Sequence, residues 1–138
     1  MSRAELIDTL AGLALFADLS RPQLEAVAHT FEEEYFADGQ RVLRQGFSGS
    51  NLYIVVSGQA AVHVDGTQRT ILSRGDFFGE ISILLGEPPV ADVVAMGPLR
   101  CLALAGSEVE TFLLAYPRVT YRMLQAEARR VRSTNLWR

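Results

Sequence analysis

Residues 75–82 read Gly-Asp-Phe-Phe-Gly-Glu-Ile-Ser, and no other stretch of the chain is better suited to hold a small ligand. Gly79-Glu80-Ile81-Ser82 reads as the start of a short helix. The first N–H groups of a helix have no partner inside it and carry the positive end of its dipole. A phosphate-sized anion is stabilised at such a place. Gly79 lets a second group come close to the backbone. The Glu80 carboxylate does not serve an anion, but it accepts a hydrogen bond from a hydroxyl. Phe77 or Phe78 is the natural anchor that fixes this turn to the rest of the fold.

Other chemistries find little support. His29 and His63 are too far apart in sequence to form the His-x-His pair of a metal site, and no further ligand set accompanies them, so no metal or cofactor is expected. His63, between Val62 and Val64, reads as an outward strand residue, and His29 as a surface or boundary position on a helix. Cys101 lies in an apolar run and reads as buried and inert. As the single cysteine it forms no internal disulfide, which points to the cytoplasm. No Ser–His–Asp or paired-carboxylate arrangement emerges by spacing. A small jelly-roll oxygenase or isomerase is the weakest of the readings, and a non-enzymatic role is expected.

A chain of 138 residues fits one domain with one core. The apolar run at residues 10–17 is far short of a membrane span, and Glu5 and Asp8 upstream of it argue against a secretory signal. The chain has no lysine, and its basic residues are all arginine. Residues 116–138 hold six arginines and one acid, Glu127, against seven arginines and fifteen acids elsewhere. A basic C-terminal helix could face an acidic partner, but a solvated helix face explains the same pattern, and an overall charge of −3 argues against a dedicated nucleic-acid binder.

The elements that must position residues 75–82 follow from periodicity. Residues 4–15 predict a first amphipathic helix. Ser20-Arg21-Pro22-Gln23 has capping-box spacing, and Leu24, Val27, Ala28 and Phe31 share the face of the helix that follows. Glu32-Glu33-Glu34 reads as a solvated transition. From residue 35 to 104, short β-branched and aromatic runs alternate with glycine turns, which predicts an all-β roll or sandwich. Separate strands are expected at residues 41–45, 52–56, 60–64, 69–72, 91–96 and 99–104. Ser107-Glu108-Val109-Glu110 has the form of a second capping box. Pro117 divides the helix after it from a last one that runs to about Arg132.

Taken with this order, the motif resembles the phosphate-binding cassette of cyclic nucleotide-binding domains. Gly75-Asp-Phe-Phe-Gly-Glu-Ile81 is followed, seven residues after Glu80, by Glu87-Pro88. Arg44-Gln45-Gly46 and Leu52–Gly58 resemble the strands and turn that precede the cassette in that family. Residues 15–20 resemble its helical lead-in, and the helix–Pro–helix end resembles its hinge and lid. The resemblance spans residues 10–132. It implies a mainly β fold, a jelly-roll-like antiparallel β-roll of eight strands flanked by helices: a helical lead-in at 1–34, the roll at 35–104 with the cassette at 75–95, and C-terminal helices at 107–138, all in one domain.

The resemblance also implies site residues. Gly79, Glu80, Ile81 and Ser82 would form the helix start, with Glu80 on the ribose 2′-hydroxyl. Val90 and Ala91 match the small residues whose backbone N–H groups face the phosphate. Tyr121 and Trp137 could stack on a purine as a lid. Pro89 departs from the family, which places an arginine there. Proline brings neither a charge nor a backbone N–H. Glu80 and Asp92 are then expected to remain as uncompensated negative charge unless Arg69, Arg74 or Arg122 reaches in.

Three readings compete. The first is a cyclic nucleotide sensor that moves its C-terminal helices. The second, which Pro89 favours, is a regulatory or dimerisation scaffold with weakened or lost nucleotide binding. The third is a transcription factor, which would need a DNA-binding element that this chain does not show. A homodimer is expected through the last helix, where Val119, Met123, Ala126 and Arg130 follow one line and Thr120, Leu124, Ala128 and Val131 the next. No direct contact with DNA or membrane is expected.

Overall fold

The computed structural model describes residues 1–47 and 51–135. Trp137, a candidate lid residue, lies outside them. The chain opens with α1 (Arg3–Ala11), a 3-10 turn (Ala14–Phe16) and α2 (Arg21–Thr30). Six strands follow: β1 (Glu32–Phe36), β2 (Arg41–Leu43), β3 (Asn51–Val64), β4 (Thr67–Leu72), β5 (Phe77–Phe78) and, after α3 (Glu80–Leu85), β6 (Asp92–Ala105). The chain closes with α4 (Gly106–Ala115) and α5 (Pro117–Asn135). The fold is the expected mainly antiparallel β-roll with helices on both flanks.

The first capping box forms as read: Ser20 Oγ accepts from the Gln23 N–H, and the Gln23 side chain accepts from the Ser20 N–H. The second does not. The backbone turns helical at Gly106, with Ala105 as N-cap and no side-chain cap. Ser107 is therefore already inside the helix, where its hydroxyl cannot cap.

Two long strands form the spine. β6 pairs with β3 along nearly its whole length, with β1 beside its C-terminal half and β2 beside its N-terminal half. β4 and β5 both pair with β3, β4 with its C-terminal half and β5 with its N-terminal half. Residues 52–56 and 60–64, expected as separate strands, are thus one strand, and so are 91–96 and 99–104. Ser57-Gly58 and Gly97-Pro98 do not reverse the chain. They are bends, and the pairing register shifts between Ser57 and Gln59. Such irregularities add curvature to a sheet, which a roll requires. Dividing β3 and β6 at these bends recovers the eight strands of the resemblance.

Glu32–Glu34 also belongs to the sheet, with Glu34 opposite Cys101. An acidic run has poor strand propensity, but a waiting partner edge overrides it.

The core has two parts, divided by the sheet. Leu52, Ile54 and Val56, with Leu102 and Leu104, face the helices and meet Leu10, Phe16, Val27 and Phe112. Tyr53 and Val55, with Cys101 and Ala103, face the inside of the roll and meet Val93 and Leu99. Both faces of the central strands are buried, hence their nearly unbroken apolar sequence. Each fully buried aliphatic side chain contributes about 1.5–3 kcal/mol. Phe77 joins the helical cluster and Phe78 the inner one, so β5 fastens the cassette to both. The Phe78 ring stacks on Tyr53 with centroids 4.9 Å apart.

Candidate functional site

The residues that sequence singled out come together. Gly79, Glu80, Ile81, Ser82, Pro89, Val90 and Ala91 all line one cavity of about 180 Å³ inside the roll. Its other walls are mostly apolar, among them Leu43, Val62, Leu72, Phe78 and Val93. Gly79 is the N-cap of α3, with φ at 89°. Ser82 Oγ donates to the Gly79 carbonyl at 3.4 Å. Pro89 is buried, and its carbonyl accepts the Gly46 N–H at 2.9 Å, tying the cassette loop to the end of β2.

Glu80 is only 3% exposed, and it is not alone. Arg130 of α5 reaches 3.1 Å from its Oε2, and the same nitrogen lies 2.8 Å from Glu127 Oε1. The second guanidinium nitrogen donates to the Phe77 carbonyl at 2.7 Å. The guanidinium lies 4.4 Å from the Phe77 ring centre, a cation–π distance. Burial pushes the Glu80 carboxyl well above its ordinary range. A hydrogen bond with Glu127 and that residue's charge push it further, and Arg130 pulls it back. The two carboxylates and one guanidinium form a compact cluster at the cavity wall.

The expectation of uncompensated charge is therefore corrected. Glu80 has Arg130, and Asp92 Oδ1 accepts the Gln45 backbone N–H at 2.7 Å. The three arginines named as substitutes do not line the cavity. Arg122 closes on Asp18 at 2.6 Å, with Arg118 at 3.3 Å on the same carboxylate, and these arginines hold Asp18 down at about 2. Arg74 lies beside Gly12 at the end of α1. Arg69 lies on β4, outside the cavity lining. Among the described residues the cation lining the cavity is Arg130, which sequence reasoning did not assign to the site. Tyr121 is also not at the cavity: its ring takes the Arg118 guanidinium at 5.2 Å and is half exposed.

Removing Arg130 has an expected signature. Breaking a buried pair costs about 3–5 kcal/mol, but the Arg130 side chain is 38% exposed, so water already screens it. Arg130→Ala is expected to cost about 1–3 kcal/mol at pH 8 by urea titration, and less at pH 5. The sign follows from proton counts. The folded Glu80 binds its proton more tightly than the unfolded one. Stability therefore falls as pH rises from the ordinary carboxylate value toward the raised folded one. Removing the guanidinium, which lowers the folded value, deepens that fall. An equal cost at both pH values would show that Glu80 stays charged throughout.

The sequence model of the cyclic nucleotide-binding domain matches residues 33–116. The chain belongs to the cyclic nucleotide-binding domain family. A cAMP-dependent protein kinase regulatory subunit from Mucor circinelloides f. lusitanicus is 38% identical over 109 residues, 76% of this chain and 25% of that protein. A cGMP-dependent protein kinase from Eimeria tenella is 30% identical over 125 residues, 91% of this chain and 12% of that one. The Thermus thermophilus catabolite activator protein superimposes with a TM-score of 0.77 at 28% identity, covering 88% of this chain and 60% of the other. The chain thus spans a quarter or less of the two kinase-family relatives.

α5 reaches the cavity through Arg130. The inward line of α5 is Val119, Met123, Ala126 and Arg130. The first three pack into the helical core, and the fourth meets the cassette. No group of three or more metal-binding side chains occurs among the described residues, and none of the described helices is long and apolar enough to cross a membrane.

Proposed function

We propose that the chain is a regulatory module of the cyclic nucleotide-binding kind whose affinity for cyclic nucleotides is weakened or lost. The observation that carries this reading is the charge of the cavity. Pro89 stands at the cassette position where the family's arginine would meet the phosphate. The arginine that does line the cavity is already held by Glu80, Glu127 and the Phe77 carbonyl. A phosphodiester entering this apolar cavity would lose its water without gaining a free cation, and unpaired buried charge is costly. Calorimetric titration with cyclic AMP and cyclic GMP tests it. Weak or undetectable binding is expected, and submicromolar affinity for either would end the reading.

Arg130 also favours a second reading, a working sensor of cyclic AMP or cyclic GMP, the nucleotides named for the kinase-family relatives. In that case Arg130 leaves Glu80 to meet the phosphate, freeing Glu80 for the ribose. Binding that Arg130→Ala abolishes would select this reading.

The partner that fits the regulatory reading is a second copy of the chain, in the cytoplasm. Half of the α5 stripe is taken by the chain's own core, since Val119 and Met123 are buried. On the other line Leu124 is 63% exposed. Sedimentation at tens of micromolar is expected to show a dimer that Leu124→Glu dissociates. A monomer unchanged by that substitution would remove the proposal.

A further inference from the structure

The ion pairs of α5 leave an uneven remainder. Arg118 and Arg122 are held by Asp18, and Arg130 by Glu80 and Glu127. Arg129 makes no ion pair among the described residues, and neither does Arg69 on β4. Both line the same groove, a space of about 880 Å³ between β4 and α5. The groove adjoins the cassette cavity, with Thr70, Leu72 and Arg130 lining both. A small apolar chamber thus lies against a mouth lined by two guanidinium groups that make no ion pair among the described residues. Asp76 also lines the mouth, with one carboxylate oxygen accepting the Ser73 N–H at 2.8 Å. Two cations against this one anion leave the mouth positive.

We propose that this composite site takes an amphipathic anion, with a compact apolar body in the cassette cavity and a carboxylate or phosphate head at Arg69 and Arg129. The proposal rests on the reading that the cassette itself holds no phosphate at Pro89. It reverses the polarity of that arrangement, placing the anion at the mouth. The apolar lining offers few polar groups to a sugar but suits methylene or aromatic carbon. Guanidinium groups give carboxylates and phosphates paired, charge-assisted hydrogen bonds. Each methylene added to the body is expected to tighten binding about three- to fourfold until the chamber is full.

Calorimetric titration of the 138-residue chain with octanoate, octyl phosphate, 1-octanol and cyclic AMP tests this. At least one of the two anions is expected to bind one-to-one, at least about tenfold tighter than 1-octanol, an increment in keeping with charge-assisted contacts at a half-solvated site. Which anion is the tighter identifies the head group. Arg69→Gln with Arg129→Gln is expected to bring both anions down to the affinity of 1-octanol and leave the alcohol unchanged. Thr70→Trp, on the exposed face of β4 where groove and cavity meet, is expected to abolish binding of all three. An unchanged melting midpoint shows that these variants fold. The proposal is overturned if neither anion binds, if 1-octanol binds as tightly as both, or if Thr70→Trp leaves the anions bound. Tight binding of cyclic AMP would overturn the underlying reading of the cassette and the proposal with it. Failure of octanoate and octyl phosphate while cyclic AMP also fails to bind would overturn this proposal alone.

Discussion

Pro89→Arg, combined with Val90→Ser, is expected to tighten cyclic AMP binding at least about thirtyfold. A buried, hydrogen-bonded charge pair is worth roughly 2–5 kcal/mol when one partner is removed. The lower end of that range corresponds to about thirtyfold in affinity. Pro89 is buried in the cavity wall, so an arginine there starts where its guanidinium is needed. The native backbone link survives the change, because the carbonyl that accepts the Gly46 N–H belongs to any residue at this position. Losing the proline ring also restores a backbone donor, and Val90→Ser adds a hydroxyl beside it. Pro89→Leu is the control: similar bulk, no charge, no expected gain. Calorimetry on the three proteins, with melting midpoints to confirm folding, is decisive. No gain in the arginine variant with the fold intact would show that the missing cation is not what limits binding.

The cassette was legible in sequence because its residues are close together in the chain. Gly79, Glu80 and Ser82 sit within one turn, and Pro89 to Ala91 follow one loop later, so local spacing alone brought them to one cavity. Arg130 is fifty positions from Glu80, and no local pattern joins them. A signal was nevertheless present. Val119, Met123 and Ala126 lie on one line of α5, and Arg130 continues it. An arginine on an inward line must find a carboxylate or a carbonyl, and Glu80 was the acidic residue already assigned to the candidate site. The division of β3 and β6 into separate strands was misread for a related reason. Ser57-Gly58 and Gly97-Pro98 are turn signals by composition, yet they lie in neighbouring strands that bend together, and only the pairing of β3 with β6 distinguishes a bend from a reversal. Glu32–Glu34 has no strand signal of its own, because its state is set by the free edge of β6. Periodicity was reliable for α2 and the apolar runs of β3, where burial and sequence pattern coincide.

Gly79→Ala is expected to be the most damaging single substitution in the cassette, at roughly 3–5 kcal/mol from backbone strain and overpacking together. The sequence suggested that glycine here admits a ligand. The structure shows what it admits: a Cβ at residue 79 would lie 2.2 Å from the Asn51 carbonyl oxygen, where β3 begins. That neighbour is backbone at the start of the central strand and cannot turn aside as a side chain would. The φ of 89° adds a second cost, since it is a left-handed conformation that side-chain-bearing residues rarely adopt. Gly86, at the other end of α3, separates the two contributions. Its φ is also positive, at 66°, but no atom within 4 Å would meet its Cβ. Gly86→Ala is therefore expected to cost about 1–2 kcal/mol, the conformational part alone. Urea titration of the two variants reads the difference. Because the shift needed at residue 79 would drag Glu80 away from Arg130, which lowers its raised value, Gly79→Ala should also deepen the fall of stability with rising pH, while Gly86→Ala leaves it as it is. Equal losses in the two variants would mean that β3 and the cassette are not packed backbone to backbone, and that Gly79 is there for turn geometry alone.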